Sequence, residues 1–173
     1  MKSIDWREAV PEDAEALSAL GAATFLATFA HDHPGPALLA HLRDAHSVAY
    51  YRAALADRAQ TLLIGETPLK APVAYMVLTP PDLPIPTEPE RDVEIKRLYL
   101  LPDWHGGGHG DRAMSLAVAQ ATAHGAKRLL LAVYPRNDRA RGFYARHGFE
   151  QIGETRFMVG DTAFTDLIYA RPL

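Results

Sequence analysis

Apolar positions recur along this chain with two different periods, and their order predicts its elements. Ile4–Ala9 alternates apolar and polar residues, as a short strand does. Pro11, Glu12 and Asp13 then open a helix, with the acidic residues in the first turn where the helix dipole favours them. Ala14, Leu17, Ala19, Leu20 and Ala22 form its apolar side, and Thr24–Ala30 continues apolar. The stretch His31–Pro36 breaks the helix. A second helical stretch is predicted at about Ala37–His41, and a third over Val48–Ala56, capped by the Ser47 hydroxyl. Thr61–Gly65 and Val73–Leu78 read as an antiparallel hairpin around a turn with Pro68 and Lys70. Thr79–Glu90 is proline-rich and reads as an exposed loop.

The second half has longer periods. Val93–Leu100 is predicted as the central strand, with Glu94, Lys96, Leu98 and Leu100 on one side and Val93, Ile95, Arg97 and Tyr99 on the other. Gly110–His124 carries Met114, Ala117, Val118 and Ala121 at i, i+3, i+4 and i+7, an amphipathic helix that Gly125 ends. Leu129–Val133 is apolar throughout, hence a strand buried on both faces. Asn137 caps a last helix with Ala140, Phe143, Tyr144 and His147 on one face, and Gly148 ends it. Phe149–Thr155 and Phe164–Ala170 close the sheet. There is no internal repeat or second apolar core, so residues 1–173 read as a single domain.

Chemistry concentrates at Leu98–Gly110, where an apolar strand runs into glycines and then a helix. Four of the five residues from Gly106 to Gly110 are glycine. Glycines at such a junction let backbone N–H groups approach a ligand, and the free N–H groups of a helix N-terminus favour an anion. Pyrophosphate is the natural candidate, against a merely flexible turn. A Walker A loop would continue Gly-Lys-Ser/Thr, but Asp111 and Arg112 follow Gly110. A dinucleotide fingerprint would place an acidic residue at the end of the next strand, where Tyr134 and Pro135 stand.

Two motifs fit a known family. His105, Gly108 and Gly110 resemble motif A of the GCN5-related N-acetyltransferases, Gln/Arg-x-x-Gly-x-Gly/Ala, with histidine replacing the usual first residue. Asn137, Ala140, Phe143, Tyr144, Gly148 and Phe149 resemble motif B at full spacing. The resemblance spans nearly the whole chain. Phe157–Thr162 with Thr165–Ile168, and Thr24-Phe25 followed by Thr28-Phe29, resemble the bacterial branch that acetylates spermidine and spermine.

The resemblance implies an α+β fold: a mixed, mostly antiparallel sheet of about six to seven strands with splayed parallel central strands, flanked by about four to five helices. It implies acetyl-CoA as cosubstrate, lying between the strands that end at Leu100 and Val133. Backbone groups of Leu98, Tyr99 and Leu100 would hold the pantetheine and thioester. The loop from His105 through Gly106, Gly107, Gly108, His109 and Gly110 to Asp111 would hold the pyrophosphate, with Asp111 contributing only its backbone. Asn137 would bond the cofactor arm as well as cap its helix. Tyr144 matches the residue that protonates the leaving thiolate, the alternative being a core aromatic. Glu94 stands where related enzymes carry the general base, acting directly or through water; the alternative is a surface carboxylate at a strand end. Such a base is needed because an aliphatic amine, with a pKa of about 10.4, is protonated at neutral pH.

Composition narrows the class further. The chain has no cysteine, which removes disulfides, thiolate metal sites and an acetyl-cysteine intermediate together. A formal net charge of −3 leaves no nucleic-acid footprint and is compatible with a cationic substrate. No apolar run reaches the length of a membrane span, and the N-terminus lacks a signal peptide's apolar region, so a soluble cytoplasmic protein is expected. His31, His33, His41 and His46 show no metal-ligand motif; no metal is expected, and solvated or partly buried side chains are. Asp32, Asp44, Asp82, Glu88, Glu90 and Glu94 are candidate acceptor carboxylates. The function expected is direct acetyl transfer to a primary amine, a polyamine first, with a peptide, protein or other small amine next and a non-catalytic acyl-CoA sensor as the alternative class. A homodimer is common in such families, though no residue here specifies one.

Overall fold

Turn residues and apolar faces divide the chain into seven strands and five α-helices, seen in a computed structural model that describes residues 2–173. The first half comprises β1 (Asp5–Glu8), a 3-10 turn (Pro11–Asp13), α1 (Ala14–Phe29), α2 (Gly35–Ala45), α3 (Val48–Ala56), β2 (Thr61–Glu66) and β3 (Pro72–Thr79). The second comprises β4 (Asp92–Leu100), a 3-10 turn (Pro102–Trp104), α4 (His109–Ala123), β5 (Arg128–Val133), α5 (Asp138–Arg146), β6 (Glu150–Val159) and β7 (Thr162–Pro172). Two expected caps are present: the Ser47 hydroxyl accepts from the Tyr50 N–H and the Asn137 side chain from the Ala140 N–H. The second helix is longer than expected, because Pro34 and Pro36 sit at its start, where proline is tolerated.

The strands form one mixed sheet, as expected, in the order β1-β2-β3-β4-β5-β7-β6. All neighbours are antiparallel except β4 and β5. On one face, Met114, Ala117 and Ala121 of α4 pack against Met76, Leu78, Ile95, Leu129, Leu131 and Leu167. On the other, Leu17 and Leu20 of α1 and Tyr51 of α3 cover Leu62, Ile64, Tyr75 and Val77. Phe25 and Phe29, farther along α1, pack with Leu38 of α2 and Val159 of β6.

Two irregularities position the site. The parallel strands pair only from Asp92–Glu94 to Arg128–Leu130; beyond that they separate, leaving their facing backbone groups outside the ladder. The second irregularity is a bulge. Val77 pairs with Arg97 and Leu78 with Ile95, so Lys96 is the extra residue. This overturns the strict alternation expected along Val93–Leu100. Ile95 and Leu98 both face α4, whereas Arg97 turns to the α3 face, its guanidinium 4.4 Å from the centre of the Tyr50 ring. Glu94 and Arg97 therefore share the face from which the sequence alternation separates them. No helix among the described residues is long and apolar enough to cross a membrane.

Candidate active site

The separation of β4 from β5 opens a cavity of about 980 Å³ that runs through the sheet. Glu94, Leu98, Tyr99, Leu100, His105, Gly106, Gly108, Gly110, Asp111, Asn137 and Tyr144 all line it. Gly107 and His109, also expected at the site, lie within the same loop but not on that wall. Residues far apart in sequence thus meet because two strands part and a helix starts beside the opening.

At one end is the glycine turn. Gly106, Gly107 and Gly108 have φ of +88°, +60° and +79°, a left-handed run that side chains with a Cβ rarely adopt. A Cβ on Gly106 or Gly108 would meet no atom within 4 Å, so the turn is an open cradle facing the first turn of α4. That cradle, with free N–H groups and the positive end of a helix dipole, fits a pyrophosphate. Asp111 would repel such a ligand, but its carboxylate is turned to α5, where His147 Nε2 lies 2.9 Å from Oδ1. His105 donates from Nε2 to the Leu100 carbonyl at 2.9 Å and so ties the turn to the end of β4. Burial, and secondarily the Arg139 charge, push the His105 pKa down, which keeps that ring neutral. Asn137 caps α5 through its oxygen at 3.1 Å, which leaves its NH₂ group for a ligand.

Mid-cavity stand Tyr144 and Tyr99. Burial raises the pKa of both, Tyr99 to about 12, so each hydroxyl remains a proton donor at neutral pH. Glu94 is not a surface carboxylate: it is 2% exposed. Its Oε2 accepts from the Asp82 N–H at 2.8 Å and its Oε1 lies 3.3 Å from Lys96 Nζ. The proline-rich loop after β3 is thereby fastened against the cavity, and Asp82 and Leu83 of that loop join its wall.

The far end is an aromatic chamber of Phe25, Phe29, His41, His46, Tyr50, Tyr134 and Phe157. Arg97 enters it, donating to Tyr51 Oη at 3.1 Å and to the Ala45 carbonyl at 2.7 Å. Burial, then Arg97, lower the His41 pKa and hold His46 at about 2, so both rings are neutral. His33 and His46 are buried rather than solvated or partly buried, because both pack into this aromatic cluster. Asp32 receives the Tyr134 hydroxyl at 3.0 Å and His33 Nδ1 at 2.7 Å, which pins the α1–α2 turn to the end of β5. Among the described residues no group of three or more His, Asp or Glu converges to hold a metal. Asp44, Glu88 and Glu90 are not on the cavity wall.

One wall residue stands out that sequence reasoning missed. Asp166 of β7 is 7% exposed, and its Oδ1 has no hydrogen-bond partner. Burial raises its pKa from 3.8 to about 6. A raised carboxyl pKa means that the native state binds more protons than the unfolded state between those two values. Stability contributed by this residue therefore falls as pH rises through that window and stays low above it. Asp166→Asn should raise the unfolding free energy at pH 7 by about 2–3 kcal/mol, a gain that disappears below about pH 4. Urea unfolding at the two pH values measures this.

Residues 19–149 match the acetyltransferase (GNAT) family. An uncharacterized N-acetyltransferase of Mycobacterium bovis is 34% identical over 165 residues, covering 93% of this chain and 98% of that one. Among solved structures, the PaiA N-acetyltransferase from Thermoplasma acidophilum in complex with coenzyme A superposes with a TM-score of 0.80 at 19% identity, over 99% of each chain. A GCN5-related N-acetyltransferase from Rhodopseudomonas palustris gives 0.77 at 23% identity, over 100% of this chain and 98% of that one.

Proposed function

Because the chain belongs to the acetyltransferase (GNAT) family and is an acetyl-CoA-dependent N-acetyltransferase, we propose that its acceptor is a small primary amine held in the aromatic chamber, a polyamine such as spermidine or spermine. The observation that carries this reading is the continuity of one cavity from the glycine cradle, through the gap between β4 and β5, to a chamber lined by aromatic rings and carboxylates. Acetyl-CoA supplies an activated acetyl group; the roles of the chain's residues follow from their places.

The cradle from His105 to Asp111 binds the pyrophosphate through backbone N–H groups, and the Asn137 NH₂ group bonds the pantetheine arm. Backbone N–H groups of β4 between Leu98 and Leu100, on the side that β5 leaves, hold the thioester and polarise its carbonyl. Glu94 takes a proton from the ammonium, directly or through a water, and the freed amine nitrogen attacks the thioester carbon. As the carbon–sulfur bond breaks, Tyr144 gives its hydroxyl proton to the sulfur, and the surplus proton that the nitrogen sheds as the amide forms returns through solvent to the tyrosine oxygen.

Glu94, Asp82 and Asp166 put carboxylates on the wall of the chamber, and aromatic surfaces suit both the methylene chain and the ammonium groups of a polyamine. A panel assay tests the reading. Spermidine and spermine should be acetylated, with KM rising with salt, since attraction between charges is screened over a Debye length of about 8 Å at 0.15 M. Activity should climb from neutral toward alkaline pH, as more of the reacting amine is deprotonated. Inert polyamines beside an acetylated peptide or amino acid would retire the polyamine assignment. One observation favours that second reading: Arg97 projects into the chamber with no carboxylate partner among the described residues, as a site for an amine that also carries an anionic group would.

A further inference from the structure

We infer that Asp166 is the specificity-determining carboxylate of the acceptor site, holding a second ammonium group of the acceptor while the first reacts beyond Glu94; the inference rests on the small-amine, polyamine reading above. Five buried side-chain polar atoms lack a hydrogen-bond partner among the described residues, and of the residues that carry them Asp166 is the one on the wall of this cavity. A buried carboxylate without a partner is costly unless a ligand supplies one. The groups around it do not. His33, in the α1–α2 turn, is committed through Nδ1 to Asp32, and Tyr134, at the end of β5, donates to that same aspartate. Thr155, its pair on β6, is uncharged. No lysine or arginine neutralises it.

Position adds to chemistry. Leu167 and Tyr169 of β7 face α4, so Asp166 belongs to the opposite face, the one that Glu94 also takes. Glu94 has each oxygen engaged, by the Asp82 N–H and by Lys96, whereas Asp166 stands on the cavity wall with its buried Oδ1 unpartnered. The two carboxylates sit on different strands of one wall, so an amine reacting beside Glu94 and the gap would carry its second charge toward β7. The ligand chemistry implied is a diamine or polyamine, with cation and methylene chain sharing the aromatic chamber.

The test compares 1,4-diaminobutane and spermidine with 1-aminopentane, in which a methyl group replaces the second ammonium, at fixed ionic strength. The wild-type protein should show a higher kcat/KM for the diamines. Asp166→Asn should lower the diamine-to-monoamine ratio of kcat/KM by about 10-fold or more, mainly through KM, since a charge-assisted hydrogen bond is lost. Urea unfolding of the variant, expected to be no less stable, separates this from misfolding. A wild-type preference for diamines that survives in Asp166→Asn overturns the inference and leaves the polyamine reading standing. A wild-type protein that prefers the monoamine, or leaves every diamine untouched while acetylating other amines, overturns both.

Discussion

Replacing Tyr144 by Phe is expected to lower kcat by ~10²–10⁴-fold, the usual worth of general acid–base assistance, with little change in KM for either substrate. The ring packs against the α4 core and lies 5.3 Å from Phe143 and 5.6 Å from Phe149, contacts that phenylalanine keeps. The hydroxyl is the only atom lost. Burial keeps it protonated across the working pH range, so it can serve as an acid and cannot serve as a resting base. A pre-steady-state measurement of the chemical step reads the effect without interference from product release. An unchanged chemical step would make Tyr144 a packing residue.

Acetyl-CoA binding should be lost in Gly108→Glu while the fold persists. At Gly108 the backbone is left-handed, with φ of +79° at the N-cap of α4, and the Cβ position is open. A side chain there projects into the cradle, and a carboxylate adds charge repulsion to bulk. Strain from the left-handed backbone costs about 1–2 kcal/mol for any residue with a Cβ, so Gly108→Ala is the control that carries the strain alone. Calorimetry should find the Ala variant within about 10-fold of wild type and no measurable binding by the Glu variant. Undiminished affinity in the Glu variant, with intact circular dichroism, would remove the pyrophosphate from this loop.

The parts of the site that were legible in the sequence are those fixed by local geometry. Gly106–Gly108 declare a left-handed turn because other residues rarely adopt it, and Asn137 with Tyr144 keeps its spacing because both sit on or beside one short helix. The order of periods along the chain gave the strand and helix sequence for the same reason. The bulge at Lys96 left no such mark. One unpaired residue reverses the facing of everything after it, and Lys96 looks like any polar residue of an alternating strand. Glu94 and Arg97 were therefore assigned to opposite faces. Asp166 was missed because its surroundings are non-local. Its burial comes from the strands on either side of β7 and from the α1–α2 turn around His33 at the opposite end of the chain, and Thr165–Ile168 alone reads as an ordinary strand. The burial of His33 and His46 likewise arises from aromatic contacts made across elements.

The central claim is that one cavity joins the cradle, Tyr144 and the aromatic chamber through the gap between β4 and β5. A crystal structure of the protein with coenzyme A and spermidine tests it most directly. The pantetheine should lie between the ends of β4 and β5, with the pyrophosphate on the N–H groups of Gly106–Asp111 and the sulfur within about 3.5–4 Å of Tyr144 Oη. Coenzyme A bound outside that gap, or a sulfur remote from Tyr144, would contradict the account.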